Sequence, residues 1–204
     1  MWTHIKHLCT DEHILRFFAW IINSCFATGF WPDCFKTSKT VIIPKPGKPA
    51  YNIPKAFHPI VLLNTLGKLF EKAIANRLQW EVARFELLHP SQFGGVRQNS
   101  TEDAGSYLTH LVRTGWDKGY KNSIVAFDLA QYFPLLNHSA ITLILDHMGF
   151  TNIVVNIFAD YLVGRYTKIF CENQLSEPFP TAVGVGQGSA LSLILSALYL
   201  APVL

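Results

Sequence analysis

The chain has 204 residues, a length that fits one large domain or two small ones. Half of its residues are hydrophobic and only 15% are charged, so it can bury a substantial core and is not expected to be disordered. The net charge of +3 is small, yet eight of the 17 basic residues fall between Lys36 and Arg77, where Glu71 is the only acid. This basic stretch suits the phosphates of a nucleic acid or a triphosphate, although a solvated lysine-rich face explains the composition equally well.

Cysteine usage and the two ends of the chain bear on its location. The four cysteines form no C-x-x-C pair and no signal peptide opens the sequence, which predicts a reduced intracellular setting. Residues 190–204 are almost wholly apolar, but this run is shorter than the roughly 20 residues that a membrane-spanning helix needs. The run therefore predicts a buried core helix, and no membrane partner is expected.

Hydrophobic periodicity predicts the remaining elements in chain order. Helices are predicted over residues 11–28, 64–85, 101–115, 139–148, 152–163 and from 190 onward. Strands are predicted at residues 40–43, 123–127 and 166–171. Loops are predicted at residues 44–49, 90–99 and 174–180, and a glycine-rich turn at 184–188. Helices and short strands alternate without a regular βαβ rhythm, which predicts an α+β architecture.

Asp128 follows the strand-like run of residues 123–127, and the aromatic side chain of Phe133 comes five residues later. A carboxylate at the end of a buried strand is well placed for magnesium, which takes one or two carboxylates together with substrate phosphates. Alternatively, Asp128 caps a helix that starts at Leu129, with Gln131 in the reciprocal capping position. Local spacing alone favours the cap.

Two loops are candidate phosphate sites. The Gly184–Gly188 turn presents backbone N–H groups and the Gln187 amide at a helix start that Ser189 can cap, which suits a nucleotide. A plain glycine turn with a serine cap explains the same spacing. The proline-rich loop at 44–49 holds Lys45 and Lys48, which could face a triphosphate, although a surface turn explains this loop better.

In order, these segments resemble the reverse transcriptase domain of non-long-terminal-repeat retrotransposons, of the kind found in fungal genomes. Residues 35–204 carry the family's ordered blocks, each of which is weak alone. They read Val41-Ile42-Ile43-Pro44-Lys45-Pro46-Gly47-Lys48, Phe57-His58-Pro59-Ile60-Val61-Leu62-Leu63-Asn64, Gly67-Lys68-Leu69-Phe70-Glu71-Lys72, Gln92-Phe93-Gly94, Phe127-Asp128 with Phe133, and Gly184-Val185-Gly186-Gln187-Gly188-Ser189.

The resemblance implies a right-hand polymerase with fingers and an incomplete palm. It implies a helical lead-in at residues 1–34, fingers at 35–116, and a partial palm at 117–204, of which 138–182 return to the fingers. The implied activity is RNA-directed DNA synthesis by two-metal nucleotidyl transfer with Mg²⁺. The implied partners are an RNA template, a DNA primer and deoxynucleoside triphosphates. A nuclear location is compatible with the family.

The resemblance also implies roles for individual residues. Asp128 is the catalytic carboxylate, and Leu129 offers its carbonyl to a metal ion. Phe133 is the steric gate against a ribose 2′-hydroxyl. The nucleotide-binding residues are then Lys45, Leu129, Phe133, Gln187 and Gly188, and the nucleic-acid-binding residues are Lys39, Lys48, His58 and Arg97.

The chain departs from the family pattern in ways that bear on activity. His58 stands where the family has an arginine, which removes a permanent forked phosphate contact. The family's aromatic-x-Asp-Asp motif, with its further metal-binding carboxylates, does not occur before residue 204. The sequence therefore predicts a partial domain that is inactive alone. A nucleic-acid-binding module without catalysis and a decayed retroelement remnant are the alternatives.

Overall fold

A computed structural model describes residues 3, 6, 7 and 10–203 of the chain. Helix α1 spans Glu12–Thr28. At its start, the Asp11 side chain accepts a hydrogen bond from the His13 backbone N–H. At its end, Gly29 adopts a left-handed conformation with φ of 66°, which glycine tolerates because it has no Cβ. The predicted first helix and both of its signals are confirmed.

The strands form one small mixed sheet. They are β1 (Thr37–Pro44), β2 (Phe57–Leu62), β3 (Tyr166–Cys171), β4 (Gln174–Leu175) and β5 (Phe179–Pro180). The spatial order is β2-β1-β3-β4, and β5 also pairs with β3. Strands β1 and β2 are antiparallel, whereas β1 and β3 are parallel. The parallel pair joins two parts of the chain that are far apart in sequence.

Six further α-helices follow α1 among the described residues. They are α2 (Thr65–Arg84), α3 (Thr101–Asp117), the single turn α4 (Tyr132–Leu135), α5 (His138–His147), α6 (Asn152–Leu162) and α7 (Ala190–Leu200). The core lies between α2, α5, α6 and α7, and its fully buried members include Ile74, Leu145, Ile157, Leu191 and Leu195. Except for residues 123–127, the predicted helices and strands are confirmed, and the whole is a mixed α/β fold.

The C-terminal apolar run forms a core helix, as predicted. Leu191, Ile194 and Leu195 of α7 are fully buried against the other helices. Among the described residues, no helix is both long enough and apolar enough to span a membrane.

The segment before α4 contradicts the sequence prediction. Residues 121–131 are exposed, residues 123–127 form no strand, and the Phe127 side chain is 90% exposed. A strand needs hydrogen bonds to a neighbour, and none of the described strands pairs with this segment. The capping alternative is also wrong, because α4 begins at Tyr132 and its N-cap residue Gln131 makes no side-chain capping bond.

Two strand regions were missed. β2 contains Pro59 and lacks clean polar–apolar alternation, so its local pattern does not predict a strand. It forms because Val41 and its neighbours in β1 supply an antiparallel partner. The predicted loop at 174–180 contains β4 and β5, whose two-residue lengths give no periodic signal.

Candidate functional site

The glycine turn at 184–188 is anchored to the α4 segment by its backbone. The Gly184 N–H donates to the Leu136 carbonyl at 2.8 Å, and the Val185 N–H donates to the Phe133 carbonyl at 2.9 Å. Gly184 has φ of 79°, and a Cβ there would run into the backbone of Pro134. Glycine is therefore required by both the dihedral angle and the close approach.

The same turn is joined to the sheet. The Val61 N–H of β2 donates to the Gln187 carbonyl at 2.9 Å. A Cβ on Gly186 would lie 3.1 Å from the Val61 side chain, so the turn fits closely over this strand. We call the assembly of residues 133–136, Val61 and 184–189 the glycine-turn junction. It brings Phe133, Gln187 and Gly188 together with β2.

A cleft of about 280 Å³ opens between the sheet and the turn. The Thr40 and Thr167 hydroxyls meet on its sheet side at 2.7 Å. Its lining combines β-strand side chains, Arg165 and the backbone of the glycine turn. Most of the other lining residues are apolar, and the Gly184 and Val185 N–H groups are already bonded to Leu136 and Phe133, so Arg165 is the charged group that a ligand in this cleft can contact.

A buried carboxylate supports the turn from below. Glu71 of α2 is almost fully buried and accepts a hydrogen bond from the Tyr161 hydroxyl at 2.8 Å. Burial raises the pKa of Glu71, while Tyr161 and Ser189 oppose this shift by hydrogen bonding to the carboxylate. The Ser189 hydroxyl also caps α7 by accepting from the Leu191 N–H at 3.1 Å. Glu71 therefore links α2 to α6 and to the end of the glycine turn.

Sequence reasoning assigned no role to Glu71 or Tyr161. A signal was present, because Glu71 lies on the helical stripe with Ile74 and Leu78, which are buried. An acid on a buried helix face implies a hydrogen-bonding partner. The partner itself could not be identified from the sequence, since Tyr161 lies ninety residues further along the chain.

The predicted metal-binding residues are outside the glycine-turn junction as defined above. Asp128 and Leu129 are exposed in the unpaired segment before α4, whereas Phe133 is half-buried. Asp128 offers one carboxylate and Leu129 one carbonyl, which is part of the oxygen set that Mg²⁺ takes in proteins. In the part of the chain that the structure describes, no group of three His, Cys, Asp or Glu side chains could hold a metal ion.

The predicted phosphate-binding residues are spread along the sheet and its loops. The Lys45 N–H donates to the Ala56 carbonyl at 2.8 Å, so the loop after β1 closes on the start of β2, while Lys48 at its tip is exposed. Lys39 lies within β1 and His58 within β2. The remaining predicted residue, Arg97, is exposed in the loop before α3.

The small mixed sheet and the buried helices are consistent with a reverse transcriptase domain. The family model for reverse transcriptase (RNA-dependent DNA polymerase) matches residues 43–204, so the chain belongs to this family. The match covers every segment of the glycine-turn junction.

Three curated proteins that the chain resembles come from transposable elements of Drosophila melanogaster. The chain is 31% identical over 188 residues to a probable RNA-directed DNA polymerase from transposon BS, covering 92% of this chain and 20% of the relative. It is 28% identical to the corresponding protein of transposon X-element, covering 88% of this chain and 20% of that relative. It is 27% identical to the RNA-directed DNA polymerase from mobile element jockey, covering 92% of this chain and 20% of that relative. The chain thus spans about a fifth of these proteins, and its resemblance to fungal elements stays a prediction.

Proposed function

We propose that this chain is the fingers and the first part of the palm of an RNA-directed DNA polymerase. The observation that carries the proposal is the glycine-turn junction. Three segments far apart in the chain, around Phe133, Val61 and Gln187, share backbone hydrogen bonds there. Family resemblance assigns nucleotide-site residues to the first and third of these segments. Their meeting beside β2 supports one shared nucleotide site.

The proposed division of the chain follows its sheet. Residues 1–34 lead into the fingers, residues 35–116 form most of the fingers, and residues 117–204 form the partial palm. Within the last segment, residues 138–182 return to the fingers. The parallel pairing of β3 with β1 supports this return, because it joins Tyr166–Cys171 to the two strands of the fingers segment, β1 and β2.

In the proposed mechanism, this chain's residues bind and orient the substrates. Lys45 attracts the triphosphate, while Gln187 and Gly188 line the nucleotide and template pocket. Phe133 restricts the space beside the sugar, and its anchored backbone holds the ring in place. Asp128 and the Leu129 carbonyl are the residues that would hold Mg²⁺. When bound there, the ion would neutralise charge on the triphosphate.

The proposed partners are an RNA template, a DNA primer and deoxynucleoside triphosphates. The chain alone is proposed to be inactive in synthesis, because Asp128 is the single carboxylate that the family pattern assigns in it. Two carboxylates or more are expected where two ions are held against a triphosphate. The binding function and the synthesis function therefore need separate tests.

The binding test uses a labelled RNA template annealed to a DNA primer and fluorescence anisotropy. We expect salt-dependent binding that Lys45→Ala weakens by about fivefold, the effect of roughly 1 kcal/mol from one phosphate contact. Lys118→Ala, which removes an exposed lysine outside the basic stretch of residues 36–77, is the matched control and should bind like the parent chain. Absence of binding at low salt would refute the proposal. Primer extension by the same preparation should yield no product, and template-dependent incorporation would overturn the predicted inactivity.

A further inference from the structure

A second cavity lies where the end of α2 meets the turn between α5 and α6. Its volume is about 500 Å³. None of its lining residues belongs to the glycine-turn junction, so the cavity is a separate surface of the molecule. We call it the α2-end groove, and its lining includes Arg77, Trp80, Glu81, Phe85, Leu87 and Met148.

The wall of the groove is apolar, and two of its aromatic rings remain accessible. Leu87 and Met148 are partly buried against the core. Trp80 of α2 and Phe85, which follows the helix, are 49% and 61% exposed. Large aromatic side chains exposed beside a concave apolar surface are typical of interaction sites, because a partner gains much apolar contact by covering them.

Two guanidinium groups lie over the Trp80 ring. Arg77 is one helical turn before Trp80 and Arg84 one turn after it, and their Cζ atoms lie 4.9 Å and 5.3 Å from the ring centroid. Cation–π attraction holds both groups beside the indole. Arg77 is also bonded to Glu81 at 2.7 Å, whereas no carboxylate among the described residues forms an ion pair with Arg84. Arg84 can therefore offer its charge and N–H donors to a ligand.

The charges around the groove disfavour a phosphate backbone. The Glu81 carboxylate neutralises one of the two guanidinium groups, which leaves a single excess positive charge. A further cavity of about 450 Å³ shares Met148 with the groove, and its lining includes Asp146. The surface thus has a cation at one end and an acid at the other. A nucleic acid strand, with a phosphate about every 3.4 Å, would be repelled at the Asp146 end.

The spacing of the groups fits a peptide. The 5.3 Å between the Trp80 ring and the Arg84 guanidinium is the distance between side chains one or two residues apart in an extended chain, or one turn apart in a helix. Apolar surface continues past Met148 to Leu143, which is 68% exposed in the second cavity. One side chain cannot cover both cavities, whereas successive side chains of a peptide can. The flexible Met148 thioether can adapt to them.

We propose that the α2-end groove docks an apolar, carboxylate-bearing segment of a partner protein. An aromatic or aliphatic side chain of that segment packs against Trp80 and Phe85, and a neighbouring carboxylate pairs with Arg84. This interaction goes beyond the proposed polymerase function, in which none of these residues contacts template, primer or nucleotide.

The first test selects ligands for the full chain from a phage-displayed library of random peptides of about twelve residues, long enough to span both cavities. Peptides that still bind Trp80→Leu are removed, and Trp116→Leu, which changes an exposed tryptophan of α3, is the matched control. We expect the remaining peptides to place Asp or Glu within about four residues of an aromatic or Leu side chain more often than the unselected library does. Enrichment without such a carboxylate, or no enrichment, would overturn the proposal.

The second test measures the pairing of Arg84 by fluorescence anisotropy with one enriched peptide. Arg84→Gln should weaken binding about tenfold, as expected for one charge-assisted bidentate pair, and should reduce its dependence on salt. Replacing the peptide carboxylate by its amide should have the same effect, and both changes together should cost no more than either alone. Additive losses would overturn the proposed pair. Arg113→Gln, which removes an exposed arginine of α3, should bind like the parent chain.

Other occupants give different results. A second copy of the chain would form a dimer that Trp80→Leu dissociates in sedimentation velocity, and that result would overturn the proposal. Loss of template–primer binding by Arg84→Gln, with peptide binding unchanged, would assign the groove to nucleic acid and overturn it as well. Failure of the peptide selection leaves the polymerase proposal intact, whereas a parent chain that binds the peptide and no template–primer would refute the polymerase proposal alone.

Discussion

Tyr161→Phe isolates the hydrogen bond that supports the buried Glu71. The substitution removes one hydroxyl and keeps the ring, which packs edge-on against Trp31 with centroids 4.6 Å apart. The lost bond is 2.8 Å long and its acceptor is a carboxylate with almost no solvent access. Hydrogen bonds to charged groups contribute about 1.5–3 kcal/mol, so we expect a loss of about 2 kcal/mol in unfolding free energy when Glu71 is ionised.

The loss should depend on pH, with a sign that follows from the raised pKa of Glu71. An acid whose pKa is higher in the folded state binds protons more tightly when folded. Unfolding free energy therefore falls as pH rises from the ordinary value of 4.5 toward the raised value. The Tyr161 hydroxyl opposes the shift, so its removal raises the pKa of Glu71 further and extends this fall to higher pH. The cost of Tyr161→Phe should be small below pH 4.5 and should reach its full size only above the raised pKa of Glu71.

Urea unfolding followed by tryptophan fluorescence measures this difference across the pH range. Tyr132→Phe is the matched control, since its hydroxyl donates to the neutral Ser196 carbonyl at 2.6 Å. We expect that control to lose about 1 kcal/mol, with no dependence on pH through the range in which Glu71 ionises. An equal loss for Tyr161→Phe at both ends of the pH range would refute the assignment of Glu71 as its charged partner.

Three further substitutions test the fold around the site by thermal or urea unfolding. Gly184→Ala should cost about 2 kcal/mol or more, since φ is positive and its Cβ would meet the Pro134 backbone; parent-like stability would contradict this. Gly105→Ala, in an exposed helix with open space around it, should instead stabilise by up to about 1 kcal/mol, and a loss would count against the α3 assignment. Lys36→Met leaves Asp160 without its 2.9 Å ion pair and should cost about 2 kcal/mol, less than a fully buried pair because Asp160 is one-third exposed. A change below 0.5 kcal/mol would mean that this ion pair is not formed in solution.

Elements with local signals could be predicted from the sequence. Helix α1 has an N-cap at Asp11 and a glycine end at Gly29, and both signals act within a few residues. The C-terminal helix was recognised because its apolar run is too short for a membrane and long enough for a core. The glycine turn was recognised because the spacing of its glycines and Ser189 is itself local.

Elements that depend on a distant partner could not be predicted in the same way. Residues 123–127 have strand composition, but a strand also needs a neighbour, and the described structure offers them none. β2 shows the converse, since its local pattern is weak and β1 supplies the pairing. The hydrogen bond between Val61 and Gln187 joins residues 126 positions apart, and neither local sequence pattern predicts it.

The sequence by itself determined the family, the order of the blocks and most helices, because these depend on residue identity and local spacing. It also placed Asp128 after an apolar run, where spacing favoured a helix cap and resemblance favoured a metal ligand. Tertiary structure decided which segments meet. It joined Phe133 and Gln187 to β2, buried Glu71 beneath the turn and set Lys39 beside Lys168, because hydrogen bonds and packing between distant segments are fixed only when the whole chain folds.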